Sequence, residues 1–243
     1  MMVNKSGWTR ALGLALMFSA ASAHAEQGEV PEGYRVAQQV LVGDGSVLEV
    51  LEDLRITPQL HADSWGSALD ADSFDASADL ENHPLLEAQA RLIADSGEVL
   101  AQKDLGYPLA TVEKAPINGL PAPAFFLTID MTAPMGSYSG PATEVLVPAQ
   151  NQLDPLRYLA ETGEKRPLVL AETGKAAWKV VPANDSATES IQQVSSAPAP
   201  QGEDFVTTYR TYRYVDGQWQ VASRQQPGYW ENESEFPQPS AFP

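Results

Sequence analysis

FVTTYRTYRYVDGQWQVAS, residues 205–223, is the stretch that decides the fold class. Aromatic and β-branched residues crowd Phe205 to Val215 and resume from Gln218 to Ser223, the composition of strands. Between the two runs, Asp216-Gly217 is the dipeptide that tolerates the positive φ angles of a type I′ turn. The stretch reads as an antiparallel hairpin.

Similar patterns recur upstream. Val36 to Val42 and Val47 to Leu51 flank the turn Gly43-Asp44-Gly45-Ser46. Leu86, Ala88, Ala90, Leu92 and Ala94 alternate with Glu87, Gln89 and Arg91, and Asp95-Ser96-Gly97 turns the chain into Val99 to Lys103. Helical spacing also accommodates Leu85, Leu92 and Ile93. The apolar run Phe125 to Met131 reads as a buried strand with Val145 to Val147 as its partner. Leu168 to Leu170 and Ala177 to Val181 flank Glu172-Thr173-Gly174-Lys175 as a further hairpin. Hairpins at such spacing predict an all-β domain, a sandwich or barrel with little helix. The one helix expected is Asp154 to Glu161, capped by Asp154 with Pro155 at its first position.

Three stretches read as irregular. They are the acidic, Ser- and Ala-rich loop 62–82, the Ser/Ala/Pro-rich connection 182–202, and the Pro-rich tail 231–243. Ile191 and Val194 are candidates to pin the connection, and Phe236 and Phe242 to dock the tail. Leu-Ala-Glu-Thr-Gly occurs twice, at 159–163 and 170–174, and reads as two similar β-turn starts.

At the N-terminus, Lys5 and Arg10 precede an apolar run from Ala11 to Ala21, and Ser22-Ala23-His24-Ala25 follows with small residues. That order is a secretory signal peptide over residues 1–25, cleaved before Glu26. A membrane span needs about 20 apolar residues, roughly twice what this run offers. The expected product is one β-rich domain, residues 26–243, periplasmic or secreted and not inserted in a membrane.

Charge narrows the partners. The chain carries 15 Lys and Arg against 32 Asp and Glu, a net of −17. Such a surface repels nucleic acid and attracts basic proteins or cations. Zero cysteines excludes disulfides, thiolate metal sites and a cysteine nucleophile.

Catalytic patterns are sparse. Past the signal only His61 and His83 remain, neither in a His-x-x-x-His nor a His-Glu-x-x-His spacing. The acids Asp63, Asp70, Asp72, Asp75, Asp79 and Glu81 are oxygen donors of the kind calcium takes, but Phe74 stands where an EF-hand needs a ligand. No metal ligand set, cofactor or catalytic residue is assigned, and a binding role is favoured over catalysis.

Gly136-Ser137-Tyr138-Ser139-Gly140 puts tyrosine where a hydrolase nucleophile elbow has serine. The same loop resembles the inhibitory loop of periplasmic lysozyme inhibitors of the invertebrate-type class, across about five residues. That resemblance implies an exported β-rich inhibitor in which Ser137, Tyr138 and Ser139 touch a basic lysozyme. A plain glycine turn between strands is the other reading. The segment from Trp219 to Pro243 resembles uncharacterised exported proteins of proteobacteria, which implies no function. Finally, Tyr212, Trp219 and Trp230 are candidates for an aromatic surface that stacks sugar rings, in a glycan-binding module or carbohydrate-active enzyme; the rival role for such residues is cross-strand packing.

Overall fold

The computed structural model describes residues 28–243 except 44, 70–82, 134–135, 149–151, 183–187 and 201–203. The expected signal peptide therefore lies outside the described residues. The fold is all-β, 48% strand and 5% helix, with antiparallel sheets as expected.

Three sheets stack. The first joins β1 (Tyr34–Leu41), β2 (Val47–Asp53), β3 (Gln89–Ile93) and β4 (Val99–Asp104) in that order. Both expected hairpins are present in it, and β3 is a strand, not a helix. The second contains β5 (Ala110–Lys114), β6 (Phe125–Ile129), β7 (Ala142–Leu146) and β10 (Val169–Ala171), in the order β10-β7-β6-β5.

Side chains alternate faces along a strand, and β6 shows what that means here. Phe125, Leu127 and Ile129 enter a core with Leu48, Val50, Ala90 and Leu92 of the first sheet. Phe126, on the opposite face, enters another core with Val145, Leu168, Ile191, Tyr212 and Trp219. The second sheet is thus the middle layer, which explains why β6 is apolar at nearly every position. Lys103 of β4 and Glu144 of β7 form an ion pair that ties the first sheet to the second.

The third sheet contains β8 (Arg157–Leu159), β9 (Lys165–Pro167), β11 (Ala176–Val181), β12 (Ser190–Pro198), β13 (Phe205–Val215) and β14 (Gln218–Pro227), ordered β11-β12-β13-β14-β8-β9. Asp216 (φ 51) and Gly217 (φ 81) make the expected tight turn between β13 and β14. One face packs on the middle layer. The other is covered by the tail, where Trp230 and Phe242 close over Ala177 and Val194, and Phe236 stacks on Phe242. Arg213 holds the Pro243 carbonyl at 2.8 Å. The docking expected of Phe236 and Phe242 is therefore observed.

Four expectations are corrected. Residues 154–161 form no helix; β8 pairs in parallel with β14, Tyr158 opposite Trp219, because that sheet edge takes the backbone groups a helix would have used. Loop 62–82 begins as helix: α1 (Pro58–Leu69), interrupted at Ser64 (φ 67), starts where Thr57 Oγ1 accepts a bond from Leu60 N at 3.3 Å. The rest of that loop, with five of its six acids, lies outside the described residues. Within 182–202, Ser190–Pro198 is the interior strand β12, with Ile191 and Val194 fully buried. Its polar residues are matched by those of its neighbour, as in the Ser196–Thr207 hydroxyl pair at 2.8 Å. Lastly, the turn at Glu172–Lys175 forms, but its strands part: β10 joins the middle layer and β11 the third sheet, so no hairpin results.

Candidate functional site

The glycine loop is built by close backbone approach. Ser139 N donates to Gly136 O at 3.1 Å, and the Ser139 hydroxyl both receives from Ala133 N and donates to its carbonyl. The loop lies flat on the turn after β10, with Glu172 N bonded to Pro141 O at 2.9 Å. A Cβ on Gly174 would come 3.0 Å from Ser137 O, so the turn needs its glycine as much as the loop does.

Out of that turn comes Lys175. Its Nζ lies 4.5 Å from the Tyr138 ring centre, 4.6 Å from Phe205 and 5.2 Å from Tyr229. It also donates to the Tyr138 hydroxyl at 3.5 Å. Among the described residues it forms no ion pair, although acids outnumber bases two to one in this chain. The ring faces supply the negative potential instead. Phe205 and Tyr229 meet edge to face at 4.9 Å, so the cluster is held from behind. Asn232 N bonds Gly174 O at 2.9 Å, which ties the start of the tail to the turn. The Tyr229 hydroxyl is pushed above the usual phenol range, first by desolvation and then by its bond to Glu231, while Lys175 pulls the other way.

Tyr138 is 52% exposed and Tyr229 49%. Two half-open tyrosines thus stand on a fixed base around a captive ammonium. No protein-family model matches the chain, and no curated protein or solved structure matches it.

Of the residues singled out from sequence, Ser137, Tyr138 and Ser139 stand in this cluster or beside it. Ser139 is spent on the loop's own hydrogen bonds, which leaves the exposed Ser137 and Tyr138 as the presented groups. Tyr212, Trp219 and Trp230 do not form a surface, since they are only 3%, 3% and 8% exposed. Tyr212 donates to Gln193 Oε1 at 3.1 Å inside the core, and burial pushes its hydroxyl up to about 12. Successive residues of an extended chain point to opposite sides; of the adjacent pair Tyr229-Trp230, the tyrosine faces out and the tryptophan in. Lys175 and Phe205 carried no sequence signal beyond a turn and a strand start.

The histidines are placed differently. His61 Nε2 lies 2.8 Å from Glu52 Oε2, and Arg35 approaches the same oxygen at 3.8 Å. Glu52 is fully buried. Two further acids of β2 are likewise matched: Glu49 with Arg91, and Asp53 with Arg55 at 2.6 Å. Burial works to raise the Asp53 pKa, but Arg55 and two backbone donors outweigh it and hold the carboxyl below its usual range. His83 is exposed and contributes its carbonyl to Arg55. Among the described residues no group of three or more His, Asp and Glu is placed to hold a metal ion.

Proposed function

We propose that the chain is an exported, non-enzymatic binding protein that takes a basic protein partner on the face of Tyr138, Tyr229 and Lys175. The single observation behind this reading is the pair of half-exposed tyrosines fixed around the Lys175 ammonium. Tyrosines held this way give large contact area with little side-chain entropy left to lose, the character of interface hot spots. Glu172 in the supporting turn and Glu231 beside Tyr229 add negative charge at the rim. The net charge of −17 steers a cationic partner toward it. A lysozyme is the first partner to try, because of the loop resemblance. Of the aromatic residues behind the sugar-binding alternative, Tyr212, Trp219 and Trp230 are buried, whereas Tyr229 is half exposed.

The test is a binding assay of residues 26–243 against a panel of lysozymes and other basic secreted proteins, at low and moderate salt. The reading expects a stoichiometric complex that weakens with salt and is lost on Tyr138→Ala. A complex indifferent to Tyr138→Ala, or no complex with any basic protein, overturns it.

A further inference from the structure

A second feature lies away from the tyrosine face. Between the middle layer and the open edge of the third sheet runs a cleft of about 350 Å³, within the size range of small-ligand sites. Leu120, Val147, Leu156 and Leu159 form its walls, and Trp219 closes it from the β14 side. Two cations, Arg157 and Lys165, complete it.

Two observations give the cleft a chemical preference. Among the described residues it has no acidic lining residue, in a chain with 32 Asp and Glu. Arg157 and Lys165, like Lys175, make no ion pair among the described residues. Arg157 instead bonds the Lys165 carbonyl at 3.1 Å, which fixes the two cationic residues beside each other.

We propose that this cleft binds an amphipathic anion, a single alkyl chain ending in a carboxylate. The chain lies against the leucine and valine walls, and the carboxylate takes Arg157 and Lys165. The anionic head complements the two unpaired cations in a protein that otherwise repels anions. Neutral or cationic heads leave those cations unmatched.

The test uses three decyl probes with one tail and different heads: decanoate, decanol and decyltrimethylammonium. Each is titrated into residues 26–243 below its micelle concentration, with calorimetry and tryptophan fluorescence as readouts. Decanoate is expected to bind one to one and to perturb the fluorescence. Arg157→Gln with Lys165→Gln should weaken it by about tenfold or more, the loss of one charge-assisted contact or more. Ala122→Trp, which fills the cleft from its half-buried rim, should abolish binding while the thermal midpoint and near-ultraviolet circular dichroism stay native. Absence of decanoate binding overturns the proposal. So does equal binding of all three heads, or a natively folded Arg157→Gln/Lys165→Gln protein with unchanged affinity.

Discussion

A side chain at Gly140 would place its Cβ 2.1 Å from the carbonyl oxygen of Glu172. The contact is backbone against backbone, so no rotamer change relieves it. Gly140→Ala must therefore lift the Gly136–Gly140 loop off the turn that carries Lys175. The expected cost is about 1–3 kcal/mol, the range of enforced local strain. In a chain of this size that lowers the thermal midpoint by roughly 2–4 °C per kcal/mol. A midpoint equal to wild type would show that loop and turn are not packed together.

The first sheet offers a sharper test of how buried charge is held. Arg91 Nε lies 2.8 Å from Glu49 Oε1, and both side chains are buried. Gln39 reaches the second Glu49 oxygen at 2.9 Å, and the Glu29 carbonyl accepts from Arg91 at 3.0 Å. Removing one partner leaves an uncompensated charge, so Arg91→Met should cost about 3–5 kcal/mol. Replacing both, with Glu49→Leu, should restore most of that loss. Urea denaturation of the two single variants and the double variant measures the coupling. Additive losses would mean that the pair is solvated rather than buried.

The third sheet predicts a stability decline in alkali. Burial, above all, raises the Tyr212 hydroxyl from the ordinary phenol value of 10.0 to about 12. The folded state thus holds this proton more tightly than the unfolded chain does. Its contribution is complete below pH 10 and is lost as pH rises through 10 towards 12, in total on the order of 2–3 kcal/mol. Tyr212→Phe forfeits the bond to Gln193, about 1 kcal/mol at neutral pH. Its stability should then fall less steeply than that of wild type between pH 10 and 12. Parallel denaturation curves across that window would contradict the assignment.

Where the sequence was readable, local chemistry and tertiary pairing agreed. Asp216-Gly217 adopts the two positive φ angles that its turn requires, and the strands on either side pair with each other from Val215–Gln218 to Val206–Pro227. Thr57-Pro58 and Asp154-Pro155 carry the same helix-start signal, yet only the first opens a helix. The difference is distant: β14 offers an open edge to Tyr158 and Leu159, and no local pattern records it. Ser190–Pro198 misleads for a related reason, since its Ser and Gln residues look like a linker until Thr207 and Tyr212 come to bond them. The same limit applies to the tyrosine face. Tyr138 stood out between two glycines, but Lys175, Phe205 and Tyr229 join it only through folding of elements 30 or more residues apart.

Lys175 itself should matter more to the chemistry of its neighbours than to the stability of the fold. A cation over aromatic rings at a partly exposed site is worth about 0.5–1 kcal/mol. Lys175→Met keeps the apolar stem and removes the charge, so the thermal midpoint should drop by only a few degrees. Tyr229 should respond more clearly. Lys175 now pulls its phenol down against the raising effects of desolvation and Glu231. Without the ammonium, Tyr229 should ionise at higher pH than in wild type. Ultraviolet titration of Lys175→Met, with Tyr229→Phe as the subtraction control, isolates that one phenol. An unchanged Tyr229 titration would mean that the ammonium does not reside among the rings, and the partner face would then reduce to Tyr138 alone.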